Sequence, residues 1–199
     1  MEKETHYELK HHHFVILGLV AESTNGEHAY NINKKIEERG MRNWTNIGVD
    51  FSLSTIYRVL DSLEDEGLLA SSTEKVKNRE RKVYTLTEFG SQVLKSTVFQ
   101  TLKEYIGKRD EEFYVAFSMF PILSKEDQLD AFRSSLSKIK THIKELEEME
   151  DQNAQFPINV TGLFRHPILI LQSNVRFLEW VIKKIKEGKA NFDPKVHDS

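Results

Sequence analysis

Four side chains with hydrogen-bonding or charged groups lie within five positions of one another: Ser54, Thr55, Tyr57 and Arg58. Two hydroxyls, a phenol and a permanently charged guanidinium suit the reading of polar edges and anions rather than covalent chemistry. Further along, residues 74–82 hold five cations (Lys75, Lys77, Arg79, Arg81 and Lys82) against Glu74 and Glu80. A cluster of that kind can pair with a row of anions. The patterns that support catalysis are absent: no phosphate-cradling glycine loop, no zinc-protease helix motif, no G-x-S-x-G elbow. No enzyme, metal site or cofactor is expected. His142 and His166 stand apart and read as surface residues. His11, His12 and His13 point in different directions on a helix, cannot share one ion well, and read as a polar helix start.

The elements that must position these groups can be read from spacing. A helix is expected from about Leu53 to Glu66, with Ser52 as N-cap and Gly67 at the stop. Its apolar residues Ile56, Leu60 and Leu63 form one narrow stripe, and the opposite side is polar. Leu68–Ser72 and Lys82–Leu86 alternate loosely around a charged tip, as in a hairpin. Upstream, Phe14, Leu17, Leu19 and Val20 mark a first helix, which breaks at Asn25-Gly26. A second helix, about Ala29 to Glu38, is expected to bury Tyr30, Ile32 and Ile36. Trp44–Asp50 reads as a loop. Thr87 caps a fourth helix that runs from Glu88 to about Tyr105. A helix exposing short polar side chains at its first turn can reach base edges. Its unpaired amides favour phosphate, and a basic hairpin tip can lie along the backbone or a minor groove. The layout is that of a winged helix-turn-helix.

The chain has 199 residues, 30% charged and 39% hydrophobic, a composition suited to a soluble helical protein. It contains no cysteine, which excludes disulfides and thiolate metal sites and fits a reducing cytosol. The apolar run Phe14–Ala21 falls well short of the roughly 20 residues needed to cross a bilayer. A cytoplasmic protein without a membrane partner is expected. The net charge is -3, and residues 1–86 carry 12 Lys+Arg against 14 Asp+Glu. Affinity for DNA must therefore be concentrated at the hairpin tip and doubled by dimerisation.

After Gly107 the composition changes. Glu111–Phe120 is expected to form an aromatic-rich helix stopped by Pro121, and Ser124 to cap a long one. In that long helix Leu129, Phe132, Leu136, Ile139, Ile143, Leu146 and Met149 recur at steps of three and four, a coiled-coil seam. Asp151–Pro157 reads as a linker, and Pro167 as part of the first turn of a last helix. There the seam is Ile168, Leu171, Val175, Leu178, Ile182 and Ile185. Two such narrow stripes call for a second subunit, because a lone helix pair buries too little. The fold expected is mostly α with a small β-hairpin. Residues 1–107 would form a winged helix-turn-helix DNA-binding domain, and residues 108–199 a helical dimerisation and effector domain.

Several segments together carry a specific resemblance: FVILGLV, AYNINKKIEERG, STIYRVLDSLEDEGLL and RKVYTLTEFG. Residues 13–90 resemble the PadR family of bacterial transcriptional regulators. Ile56, Ala29 and Val59 are mild departures from that pattern. More loosely, EEFYVAFSMF, ILSKED and FLEWVIKKI resemble the helical dimerisation domain of the longer PadR-like proteins. The resemblance implies a repressor that binds a palindromic double-stranded DNA operator as a homodimer. Ser54, Thr55 and Tyr57 would face the DNA, while Arg58, Lys77, Arg79, Arg81 and Lys82 neutralise phosphates and Tyr30 and Lys34 brace the backbone. It also implies a small effector, for some members a phenolic acid. Trp44, Trp180, Phe113, Tyr114 and Phe117 are pocket candidates, but such residues are more often core. The slightly acidic front half motivates the alternative, a helical protein–protein adaptor that does not bind DNA.

Overall fold

In the computed structural model, Tyr7 and residues 9–41, 51–76, 79–108 and 110–190 are described. The chain divides into two compact units, Met1–Thr97 and Val98–Ser199.

The first unit is built around α1 (His11–Ala21), in which every residue from His13 to Val20 is buried. A helix that is apolar on all sides has to sit inside its unit. The three histidines form its first turn, and His12 packs on Phe51 at 5.2 Å. The chain turns at Gly26 and enters α2 (Ala29–Glu38), which buries Ala29, Ile32 and Ile36. Tyr30, expected inside, is 66% exposed. It lies two residues from Ile32, which on a helix is the other side, so the 3.6-residue period keeps it out of the core.

Helix α3 (Leu53–Asp65) buries Ile56, Leu60 and Leu63 completely, as their spacing requires. It ends in a Schellman motif at Gly67, whose φ is 74°. The Gly67 N–H donates to the Glu64 carbonyl and the Leu68 N–H to the Leu63 carbonyl, each at 2.9 Å. The buried Leu68 then starts the antiparallel hairpin of β1 (Leu69–Val76) and β2 (Arg79–Leu86). Both strands extend further into the charged tip than the apolar pattern suggested. There both faces are exposed, so pairing leaves no hydrophobic alternation to read. Thr87 caps α4 (Glu88–Glu104): its hydroxyl accepts from the Gly90 N–H at 2.9 Å and donates to the Gly67 carbonyl at 2.7 Å. Gly90 is needed at this crossing, since a Cβ there would lie 2.0 Å from the Leu68 carbonyl oxygen.

The loop between α1 and α2 adds a one-residue bridge to the hairpin. Glu27 and Tyr84 exchange both backbone hydrogen bonds, at 2.8 and 2.9 Å. Gly26, at φ 84°, makes the approach possible, because a Cβ would meet the Val83 and Thr85 side chains at 2.7 and 2.8 Å. An ion network backs this loop. The Glu22 carboxylate accepts two bonds from Arg39, at 2.6 and 2.8 Å, and Glu27 pairs with Lys35 at 2.7 Å. Burial pushes the Glu27 carboxyl up, but hydrogen bonds from Lys35 and Asn31 outweigh it and hold it below the usual range.

In the second unit, α5 (Glu111–Met119) is capped by Asp110 and followed by a 3₁₀ turn at Phe120–Ile122. Ser124 caps α6 (Lys125–Gln152), which packs along α7 (Ile158–Lys186). The last helix begins nine residues before Pro167 rather than at it. Pro157 takes the N-cap position, and Pro167 lies inside the helix, where it removes one backbone donor. Burial along the pair fades toward the connecting turn: Phe132 and Ile139 are fully buried, Ile143 and Leu146 partly, while Met149, Phe156, Ile158 and Leu163 are exposed. Tyr105 stacks on Phe113 at 3.7 Å, and Phe117 packs among Phe120, Phe132 and Phe177.

Candidate nucleic-acid interface

The exposed side of α3 is set by its cap. The Ser52 hydroxyl accepts from the Thr55 N–H at 3.3 Å and lies 3.0 Å from the hydroxyls of both Ser54 and Thr55. These bonds fix the first turn and leave Ser54 at the surface. Tyr57 is 47% exposed and Arg58 is exposed beside it. Thr55, expected to face outward with them, is only 7% exposed. It lies one residue before Ile56 on the inward side, and its hydroxyl accepts from the Arg58 guanidinium at 3.4 Å. Thr55 therefore orients Arg58 and the cap. On α2, Tyr30 is exposed, and Lys34 is equally open, reaching Glu38 at 3.4 Å along the same helix.

The wing cations divide by strand parity. Successive residues of a strand point to opposite faces. In the observed register Thr73 pairs with Lys82 and Glu74 with Arg81, so Lys82 shares a face with Ser71 and Tyr84 while Arg81 lies on the other. Arg81 is exposed. Lys82 turns toward α3, where its ammonium lies 2.5 Å from a Glu64 oxygen and 3.6 Å from Asp61. It also sits 5.1 Å from the centre of the Tyr84 ring. The bond to Glu64 raises the Lys82 pKa, and the same bond, with one from Ser71, holds the Glu64 carboxyl below the usual range. Lys82 was expected on phosphates; here its ammonium is held by Glu64, with the side chain 42% exposed. The sequence carried a signal for this: Arg81 and Lys82 are adjacent, so both cannot follow one backbone on the same face. Arg79 falls within β2, and Lys77 lies outside the described residues, as does Trp44.

Sequence reasoning missed three participants. His28, at the N-cap of α2, brings Nδ1 to 3.0 Å from the Lys82 carbonyl and Nε2 to 3.6 Å from Glu74. Ser71 donates to Glu64 at 2.6 Å, and Glu27 bridges to Tyr84. None belongs to a local motif, because each contact spans several elements. Among the described residues no group of His, Asp and Glu side chains could hold a metal ion, and no helix is long and apolar enough to cross a membrane.

Three helices, the third capped and polar on its open side, followed by a two-stranded hairpin held against it, define a winged helix-turn-helix. Residues 16–96 match the transcriptional regulator PadR-like family. The matched segment lies within the first unit. Among solved structures it is similar to Bacillus subtilis PadR in complex with operator DNA, at 23% identity over 87% of this chain and 98% of that one, with a TM-score of 0.39. The PadR-like transcriptional regulator BC1756 from Bacillus cereus is 17% identical over 89% and 99%, with a TM-score of 0.36. Bacillus subtilis PadR in complex with p-coumaric acid is 20% identical over 90% and 99%, with a TM-score of 0.37. No curated protein sequence matches the chain.

Proposed function

We propose that this protein binds DNA sequence-selectively as a homodimer and represses transcription from a palindromic operator, releasing it when a small aromatic effector binds. The observation that carries the reading is the exposed first turn of α3. There Ser54, Tyr57 and Arg58 stand together beside a capped helix N-terminus, within the segment that matches a transcriptional-regulator family model. In this reading the two α3 helices enter successive major grooves, about one helical turn apart. Ser54 and Tyr57 meet base edges, and Arg58, Lys77, Arg79 and Arg81 pair with phosphates. Thr55 acts through Arg58. Tyr30 and Lys34, open on α2, brace the neighbouring backbone.

The second unit supports dimerisation. Ile158 and Leu163 are 87% and 71% exposed on α7, near the exposed Leu169 and Ile170. A row of large apolar side chains of this kind is the usual sign of a partner surface. The effector follows from the family resemblance. A mobility-shift titration tests the function. The probes are a duplex carrying the DNA upstream of the protein's own coding sequence and a scrambled duplex of equal length. Tight, salt-sensitive binding to the first over the second supports the reading. Equal binding to both, or none, favours a protein–protein adaptor.

A further inference from the structure

The inference drawn here rests on the DNA-binding reading and concerns how the wing is aimed. We infer that Glu64, Ser71 and Lys82 form a latch that fixes the wing against the recognition helix, so that Glu64 and Lys82 are positioning residues rather than DNA contacts.

Both oxygens of the Glu64 carboxylate are used, and the two donors come from different strands. Ser71 of β1 donates to Oε1 at 2.6 Å, and Lys82 of β2 donates to Oε2 at 2.5 Å. One side chain of α3 therefore holds both strands of the hairpin. The register makes this possible, because Ser71 pairs with Tyr84 and Thr73 with Lys82, which leaves Ser71 and Lys82 as diagonal neighbours on the face turned to α3. The other end of Lys82 is also held: its backbone carbonyl lies 3.0 Å from His28 Nδ1, at the start of α2. Lys82 is thus the residue at which the wing is tied to both helices of the helix-turn-helix.

The surrounding charge argues against a phosphate at this ammonium. Asp61 lies 3.6 Å from it on the same helix as Glu64, so an incoming phosphate meets two carboxylates around one cation. Arg81, on the opposite face, is exposed and faces one carboxylate, its cross-strand partner Glu74, rather than two. The pair is partly exposed, and isolated surface ion pairs stabilise little. What the latch supplies is geometry. Charge-assisted bonds converging on one carboxylate restrict the angle between wing and α3, and a wing held at that angle meets the backbone without a further loss of entropy on binding.

The two roles predict opposite signs. If Glu64 were merely an acid near DNA, Glu64→Ala would tighten binding. As a latch, its loss weakens binding by roughly fivefold, the equivalent of one ordinary hydrogen bond. The experiment uses the full-length protein with the fluorescein-labelled upstream duplex, and anisotropy is read at several salt concentrations. Glu64→Ala and Lys82→Gln are expected to weaken binding by similar factors, and their double variant no more than either alone. The charge swap Glu64→Lys with Lys82→Glu is expected to recover most of the affinity. Lys82→Gln should leave the slope of log K against log salt unchanged, whereas Arg81→Gln lowers it by about 1.8, two lost phosphate contacts per dimer at about 0.9 each. A lowered slope in Lys82→Gln, tighter binding by Glu64→Ala, or a swap no better than the singles would overturn the latch. Hydrogen exchange of the β1 and β2 amides, measured without DNA, separates the two levels of the argument. If wild type binds neither duplex, the DNA reading fails. The latch then stands or falls on whether Glu64→Ala speeds exchange in the wing.

Discussion

Gly90→Ala sets two physical effects against each other, and their sum has a definite sign. Gly90 lies in the first turn of α4, where the dihedral angles are ordinary, so helix propensity alone predicts that alanine stabilises by roughly 1 kcal/mol. The crossing predicts the reverse. The added Cβ would sit 2.0 Å from the Leu68 carbonyl oxygen and 2.9 Å from its carbonyl carbon, and backbone cannot swing aside as a flexible side chain can. Forcing a methyl group into a packed site costs about 1–3 kcal/mol, and a backbone neighbour puts this position at the upper end. The net expectation is a loss of about 2 kcal/mol. For a unit of this size each kcal/mol moves the midpoint by roughly 4–8 °C, so Tm should fall by about 8–16 °C. Differential scanning calorimetry of the full-length protein reads this directly, and urea unfolding followed by circular dichroism checks the free energy. The functional consequence follows the same contact. Leu68 leads into β1, so a displaced α4 moves the base of the wing and DNA affinity should drop below the melting point as well. An unchanged or raised Tm would refute the claim that glycine is required by this close crossing.

Other perturbations probe other parts of the account. Glu22→Gln leaves Arg39 without its bidentate partner, and urea unfolding should register a loss of about 2 kcal/mol, below the full cost of a buried pair because Arg39 is partly exposed. Burial, aided by Lys10 and His12, holds the His13 imidazole below its ordinary value. The unfolded chain therefore takes up that proton first, and stability should fall as pH drops below about 6.5, a dependence that His13→Leu removes in a pH series of melting curves. Glu66, raised by burial, works in the opposite direction at lower pH, and its carboxylate lies 3.8 Å from His13 Nδ1, so Glu66→Gln is compared in the same series. Ile158→Lys combined with Leu163→Lys should turn a dimer into a monomer of unchanged helicity by analytical ultracentrifugation, and a dimer that persists would move the partner surface elsewhere.

Much of the first unit was legible because its signals are local. Ser52, the Ile56–Leu60–Leu63 stripe and Gly67 define α3 within a few residues, and cap chemistry requires nothing from the rest of the chain. Thr87 and Ser124 were readable for the same reason. Where the reading departed from the structure, a period or a distant partner decided the outcome. Tyr30 and Thr55 each lie off the side to which they were assigned, a matter of counting around the helix. Pro167 looked like a helix start because proline favours first turns, but Pro157 already supplies an N-cap and no other breaker intervenes. The wing showed the limit most clearly. A cluster of cations suggests a single electrostatic surface, yet alternation along β2 sends Arg81 and Lys82 to opposite faces. Only the folded chain brings Glu64 to Lys82 across 18 residues and His28 to Lys82 across 54.

The central claim is that the open side of α3 and the wing read a particular DNA sequence. Its most direct test is the anisotropy of the labelled upstream duplex titrated with wild type and with Arg58→Ala, against a scrambled competitor at several salt concentrations. The account predicts preference for the upstream duplex, an affinity that falls steeply with salt, and a loss of roughly tenfold or more on removing Arg58. Binding that ignores both sequence and Arg58, or no binding at any salt concentration, would contradict it.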